Sequence, residues 1–97
     1  MLLENKTAVI YGAGGAIGGA VARAFAREGA RVFLAGRTLA KLERVAREIT
    51  ASGGIAETAE VDALDEPAVE EHADTVATKT GGIDIALNAV GIRQFHR

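Results

Sequence analysis

A glycine-rich turn near the start of the chain constrains the fold more than any other feature. It follows a short apolar run that ends at Tyr11, and it precedes an alanine-rich segment of helical character. Gly12 allows a sharp turn, Gly14 lets a pyrophosphate approach the backbone, and Gly18 lets the new helix pack closely on the strand. The free amides and the positive end of that helix would face the phosphates. The turn therefore predicts a strand, a phosphate-binding loop and a helix.

Strand and helix patterns alternate regularly along the rest of the chain. Apolar strand patterns at 7–11, 31–35, 55–61 and 83–89 are separated by helical patterns at 16–28, from a cap at Thr38 to the Gly53-Gly54 pair, and from Asp65 to about Lys79. The strands are too continuously apolar for a half-exposed sheet. The order βαβαβαβ therefore predicts an α/β fold with a parallel sheet and right-handed crossovers.

Length and composition exclude several classes of protein. The 97 residues have room for one domain, and the formal charge of −2 without a basic stripe argues against nucleic acid or an anionic membrane as a partner. The absence of cysteine excludes disulfides and thiolate metal sites. No apolar run is long enough to cross a membrane, and the first six residues lack the apolar core of a signal peptide. We expect a soluble, cytoplasmic protein.

Four motifs follow one another over nearly the whole chain. They are the turn Gly12-Ala13-Gly14-Gly15-Ala16-Ile17-Gly18, Gly36-Arg37 after the second strand, Asp62 after the third, and Asn88-Ala89-Val90-Gly91 at the fourth. Together they resemble the short-chain dehydrogenase/reductase family. The family usually has Thr-Gly-x-x-x-Gly-Ile-Gly in the turn and Asn-Asn-Ala-Gly in the last motif. Tyr11 and Ala16 depart from the first pattern, and only Asn88 and Gly91 match the second.

The resemblance implies a fold, a cofactor and a set of site residues. The fold is a Rossmann-like three-layer domain over residues 1–97, with a four-stranded parallel sheet in the order 3-2-1-4 that is incomplete relative to the family. The cofactor is a nicotinamide dinucleotide, with Arg37 near the adenosine ribose and Asp62 near the adenine. The implied cofactor-binding residues are Gly12, Gly14, Gly15, Ala16, Ile17, Gly18, Arg37, Asp62, Asn88 and Gly91.

The residues after the second strand favour one of the two nicotinamide cofactors. An acid that binds the ribose of NAD is expected about 20 residues beyond the glycines. Gly36 and Arg37 stand there instead. A guanidinium fits a 2′-phosphate, and no carboxylate is present to repel one. We therefore expect NADP(H) rather than NAD(H).

Several of these positions also have simpler interpretations. Gly14 and Gly15 are compatible with a flexible turn, and Arg37 and Asp62 with solvated surface charges. Tyr11 suits a core or edge aromatic. Two groups suit the surface: the histidines His72 and His96, which lack a second ligand at metal spacing, and an acidic helix face formed by Glu66, Glu70, Glu71 and Asp74.

The residues that carry proton transfer in the family are missing from this chain. The resemblance implies hydride transfer between the nicotinamide and a carbonyl or alcohol, with a Tyr-x-x-x-Lys pair and a serine. The single tyrosine, Tyr11, has Gly15 four positions later, and Ser52 precedes a glycine pair. We assign no catalytic residue. The favoured interpretation is the cofactor-binding portion of a longer NADP(H)-dependent oxidoreductase, and the alternatives are a non-catalytic nucleotide-binding module or a structural protein.

The fourth strand predicts self-association. In the order 3-2-1-4 it lies at an edge of the sheet. Residues 83–89 are apolar on both faces, and Asp84 is the only charge that would discourage pairing. An edge of this kind offers unpaired amides and carbonyls to another chain. We expect the chain to associate with itself through this strand.

Overall fold

The computed structural model describes residues 1–90, and its elements alternate as β1 (Thr7–Tyr11), α1 (Ala16–Arg27), β2 (Arg31–Gly36), α2 (Leu39–Ala51), β3 (Ile55–Glu60), α3 (Glu66–Thr80) and β4 (Ile85–Asn88). The four strands form one parallel sheet in the order β3-β2-β1-β4. The predicted Rossmann-like fold and its strand order are confirmed. Helix and strand ends lie within two residues of the predicted ones.

The sheet buries a different set of side chains on each face, because alternate residues of a strand point in opposite directions. Beneath α1 and α2 lie Ile10 of β1 and Leu34 of β2, which are opposite each other in register and have no exposed surface. Beneath α3 lie Val9, Tyr11 and Phe33. The result is a helix layer, a sheet and a second helix layer. Burial of each large aliphatic side chain contributes about 1.5–3 kcal/mol.

The helix α3 packs less deeply than its two counterparts. Val76 is its one fully buried residue, and Ala68 and Val69 are half-buried against the sheet. Its first turn is stabilised locally, since Asp65 Oδ1 accepts a hydrogen bond from the Ala68 amide at 3.2 Å. Gly81, with φ +89°, ends the helix. No helix within residues 1–90 combines the length and the apolarity needed to cross a bilayer.

The strand β4 differs from its prediction. It is shorter, and only Ile85 and Leu87 are half-buried, against the α1 side of the sheet, whereas Ala86 and Asn88 are exposed on the other face. Asp84 does not guard the free edge. Its amide donates to the Thr7 carbonyl at 2.9 Å and its Oδ2 accepts from the Thr7 amide at 2.8 Å. The segment is apolar on both faces as predicted, through Ile85 and Leu87 on one side and Ala86 on the other, but its second face is exposed.

The predicted cap of α2 also differs in its chemistry. Thr38 occupies the N-cap position with an extended backbone, φ −117° and ψ +99°, but its side chain makes no capping hydrogen bond. The turn is held by the Thr38 carbonyl, which accepts from the amides of Lys41 and Leu42 at 3.1 and 3.3 Å. The Thr38 side chain lines a cleft instead.

Candidate functional site

A cleft of about 210 Å³ lies at the carboxyl ends of the strands, where β1 has β2 on one side and β4 on the other. This switch in strand order is where open α/β sheets bind ligands. The cleft contains all the predicted site residues except Asn88, which lies just before it, and Gly91, which lies outside the described residues. Its lining is Gly12, Gly14, Gly15, Ala16, Ile17, Gly18, Gly36, Arg37, Thr38, Lys41, Leu42, Asp62, Ala63, Leu64, Ala89 and Val90.

Two glycines of the loop are dictated by close packing. Gly12 has a φ of +79°, and a Cβ there would lie 2.8 Å from Val90 Cγ2. A Cβ on Gly18 would lie 2.3 Å from the Gly12 carbonyl oxygen, well inside van der Waals contact. Only glycine lets α1 begin this close to the end of β1. The sequence-based roles of a sharp turn at Gly12 and tight packing at Gly18 match this geometry.

Packing restricts one of the other two loop glycines and leaves the second unrestricted. A Cβ on Gly14 would lie 3.0 Å from Lys41 Cβ, so Gly14 is small because α2 packs against it. The approach of a pyrophosphate to the Gly14 backbone stays a prediction. Gly15 has space for a side chain, since its Cβ would only touch the Gly12 carbonyl oxygen at 3.6 Å. Its φ of −82° and ψ of +173° suit any residue at a helix N-cap.

The start of α1 carries an uncompensated positive dipole. Gly15, the N-cap, has no side chain to accept a hydrogen bond, and the first turn contains no acid. The amides of Ala16, Ile17 and Gly18 have no partners within the helix, as is general for a first turn. These donors lie at the cleft. The arrangement suits a bound anion.

Two basic side chains line the opposite part of the cleft. Arg37 follows β2 and Lys41 lies in the first turn of α2, and both are exposed. The ion pairs within residues 1–90 join Arg23 to Glu48 and Glu57 to both Arg31 and Lys79, so neither cleft cation is engaged by an acid there. Lys41 was not predicted as a site residue from the sequence. Its position four residues after Arg37, on the first turn of a helix, was the available signal.

The third part of the cleft follows β3. The Val61 amide donates to the Gly36 carbonyl at 2.8 Å, which joins the ends of β3 and β2. Asp62 Oδ1 accepts from the Leu64 amide at 2.9 Å, and this turn holds the carboxylate at the rim. Leu64 is 64% exposed beside it. A carboxylate next to an exposed aliphatic surface offers a flat ring both polar and apolar contacts.

Asn88 contributes from behind the loop. Its Oδ1 accepts a hydrogen bond from the Val90 amide at 3.1 Å. Val90 packs against Gly12, so the Asn88 hydrogen bond holds the turn that the glycine loop contacts. It acts through Val90 rather than by lining the cleft.

Tyr11 and His72 form a contact that the sequence did not indicate. Tyr11 is 4% exposed, as expected of a core aromatic, and its hydroxyl lies 3.0 Å from His72 Nδ1 and 3.3 Å from the Val69 carbonyl oxygen. The two rings meet edge to face at 5.6 Å. Burial raises the pKa of Tyr11 and lowers the pKa of His72. His72, predicted to lie at the surface, is half-buried against Tyr11, and the four acidic residues of α3 are exposed as predicted.

The side chains that line the cleft determine what it can contact. Its titratable side chains within the described part of the chain are Arg37, Lys41 and Asp62. Residues 1–90 contain no group of three histidine, aspartate or glutamate side chains that could hold a metal ion. The cleft therefore offers amides and cations to phosphates and a carboxylate to a polar ring edge.

Comparison with known proteins places the chain in a family. Residues 6–97 match the family model described as short chain dehydrogenase. The uncharacterized oxidoreductase YxbG of Bacillus subtilis (strain 168) is 44% identical over 92 residues, which cover 95% of this chain and 34% of that protein. The chain thus spans about a third of this relative and matches its N-terminal part.

Solved structures agree with this match. A metagenomic short-chain oxidoreductase in complex with NADP superposes with a TM-score of 0.84 at 38% identity, over 89% of this chain and 39% of the other. An NAD⁺-bound xylitol dehydrogenase superposes with a TM-score of 0.82 at 30% identity, over 89% of this chain and 33% of the other. The chain belongs to the short-chain dehydrogenase family.

Proposed function

We propose that the chain binds NADP(H) and is the cofactor-binding portion of an oxidoreductase that transfers hydride between NADPH and a carbonyl or alcohol substrate. One observation carries the proposal. Arg37 and Lys41 line the cleft beside the end of β2, where an acid would be expected in an NAD-binding protein, and neither forms an ion pair within residues 1–90.

Each part of the cofactor has a matching surface in the cleft. The pyrophosphate would lie on the amides of Ala16, Ile17 and Gly18, where the helix dipole favours negative charge. The 2′-phosphate would meet Arg37 and Lys41. The adenine would lie at Asp62 and Leu64. This distribution accounts for a cleft with amide donors at one place, two cations at a second, and a carboxylate beside an exposed leucine at a third.

The comparisons support a nicotinamide dinucleotide but not the choice between the two. One structural neighbour is described in complex with NADP and the other as NAD⁺-bound. The preference for NADP(H) therefore depends on this chain's own Arg37 and Lys41.

A titration with both cofactors tests the proposal. We expect NADPH to bind about ten- to a hundredfold more tightly than NADH, because a charge-assisted hydrogen bond contributes about 1.5–3 kcal/mol. Arg37→Asp should abolish the preference. Arg47→Asp, which makes the same change at an exposed position of α2 outside the cleft, should keep it. Equal affinities of the unmodified chain for the two cofactors would contradict the proposal.

The alternative function is a nucleotide-binding module without chemistry. Residues 1–97 contain no Tyr-x-x-x-Lys sequence, so we expect the 97-residue chain to bind NADPH without oxidising it in the presence of carbonyl compounds. The oxidoreductase interpretation requires that a polypeptide which continues beyond residue 97 be active. A full-length product that binds NADPH but transfers no hydride to any of a panel of carbonyl substrates would favour the alternative.

We further propose that the chain associates with itself through β4 and works in the cytoplasm. The free edge of β4 supports the first point, since its residues 85–88 carry no charge. The absence of cysteine is compatible with the second.

A further inference from the structure

The Tyr11 hydroxyl joins the end of β1 to helix α3. Tyr11 is the last residue of β1, directly before the glycine loop. His72 and Val69 lie in α3, and this helix begins four residues after Asp62. A hydrogen bond between Tyr11 and α3 therefore links the phosphate-binding wall to the wall that contains Asp62 and Leu64.

The contact is well placed to hold α3. The hydroxyl is 3.0 Å from His72 Nδ1 and 3.3 Å from the Val69 carbonyl oxygen. A tyrosine hydroxyl can accept one hydrogen bond while it donates another. If His72 Nδ1 carries a proton and donates to the hydroxyl, the hydroxyl donates to Val69, and all three groups are satisfied together. The edge-to-face packing of the rings adds a second, apolar contact.

The helix has few other attachments to the sheet. Val76 is its one fully buried side chain, and the ion pair of Lys79 with Glu57 is exposed. Exposed ion pairs contribute little to stability. Near its N-terminal end, α3 is thus held by the half-buried Ala68 and Val69 and by the Tyr11 contact.

We propose that Tyr11 and His72 are positioning residues for the cofactor cleft: their hydrogen bond holds α3 on the end of β1 and so fixes Asp62 and Leu64 relative to the glycine loop. The proposal rests on the proposed function, because it assigns the pair a purpose in dinucleotide binding. Neither side chain lines the cleft. They would act on the cleft indirectly, by holding α3 against the end of β1.

Removal of the hydroxyl tests the link. In Tyr11→Phe we expect amide hydrogen exchange over residues 62–72 to speed up in the nucleotide-free protein, and NADPH affinity to fall about three- to tenfold, which is the range of one net hydrogen bond. Thr75→Val is the matched control. It removes a hydroxyl that, among residues 1–90, bonds to the Glu71 carbonyl within α3 alone, so exchange over residues 62–72 and affinity should both stay near those of the unmodified chain.

Substitution of the partner separates a hydrogen bond from simple packing. His72→Asn keeps a polar group close to the place of Nδ1 and should restore most of the affinity that His72→Leu loses. In the double variant Tyr11→Phe/His72→Leu, the losses should be less than multiplicative, because both changes remove one interaction. Imidazole ¹⁵N shifts of His72 should also change in Tyr11→Phe.

The outcomes for the pair and for the cofactor are distinguishable. An unmodified chain that fails to bind NADPH would overturn the proposed function, while exchange in the nucleotide-free protein would still report on the contact. Exchange over residues 62–72 that is unchanged in Tyr11→Phe, or multiplicative losses in the double variant, would overturn the pair as a positioning device even if NADPH binds.

Discussion

At the scale of single residues, the glycines of the loop differ in whether the structure has space for a side chain. Gly12 and Gly18 face backbone or side-chain atoms at less than 3 Å, and Gly14 faces Lys41. Gly15 alone among the loop glycines has ordinary contact distances and an extended backbone. It is therefore the position where a side chain can test the loop without disturbing the fold.

We predict that Gly15→Asp abolishes measurable NADPH binding, whereas Gly15→Ser retains it. Both side chains are good N-caps and should stabilise α1 by up to a few tenths of a kcal/mol relative to glycine. Only aspartate places a negative charge where a pyrophosphate would lie. Calorimetric titration measures the binding, and thermal unfolding checks that both variants remain folded. Tight NADPH binding by Gly15→Asp would show that the phosphates lie elsewhere.

The Tyr11 and His72 pKa values predict how stability depends on pH. Burial lowers the pKa of His72 below its ordinary 6.5, so the unfolded chain binds more protons in mild acid and the free energy of unfolding falls as the pH drops below about 6.5. Burial raises the pKa of Tyr11 above 10.0, so stability falls again as the pH rises past that value. When urea unfolding is measured from pH 5 to 7, the free energy of unfolding should depend less on pH in His72→Asn than in the unmodified chain.

At the scale of secondary-structure elements, α1 can pack closely on the end of β1 because Gly18 has no side chain. The Gly12 carbonyl oxygen occupies the place of a Gly18 Cβ, so α1 cannot start where it does with any larger residue. A change at Gly18 would therefore disturb both the glycine loop and the packing of α1 on β1.

We predict that Gly18→Val destabilises the fold by about 1–3 kcal/mol or more, the usual cost of overpacking a well-packed position. Ala20→Val is the control, because Ala20 is exposed on the same helix and valine there costs only helix propensity, whereas valine in place of glycine loses none. The control should change stability by less than about 1 kcal/mol. Chemical denaturation compares the two variants, and equal midpoints would contradict the packing argument.

At the scale of the whole molecule, the two edges of the sheet are protected unequally. The β3 edge carries Glu57, which pairs with Arg31 and Lys79, and it ends at the exposed Glu60. The β4 edge has no charged residue between positions 85 and 88. Charged side chains discourage the pairing of edge strands. The difference predicts which edge meets another chain.

We predict that the 97-residue chain associates at micromolar concentration and that Ala86→Lys weakens the association. Ala86 is exposed, so lysine adds charge beside the edge without disturbing the core, whereas Leu87 is half-buried and a lysine there would also affect folding. Ala51→Lys, at the exposed end of α2, is the charge-matched control. Sedimentation equilibrium decides the matter. A monomeric unmodified chain, or equal effects of both variants, would count against β4 as the interface.

The features that could be predicted from the sequence are those set by residues close to one another along the chain. The alternation of strands and helices, the helix bounds and the glycine loop follow from periodicity, turn residues and motif spacing, which are properties of neighbouring residues. The strand order 3-2-1-4 came from the family resemblance instead. Lys41 at the cleft, His72 against Tyr11 and the Asp84 contact with Thr7 depend on which side of a helix or turn meets a strand distant in sequence. Periodicity places a residue on a face, but it does not say which distant side chain that face meets.

The closeness of Val90 to Gly12 has a consequence for how the protein is made. Thr7 and Asp84 are 77 positions apart, so β1 emerges from the ribosome long before its β4 neighbour exists. Pairings between distant segments form slowly, because the intervening chain must first be closed into a loop. The strands β1, β2 and β3 can pair with α1 and α2 in place while the other edge of β1 has no partner strand. The glycine loop acquires the wall formed by Val90 only when residue 90 docks, so we expect the nucleotide cleft to form after β1, β2 and β3 have paired.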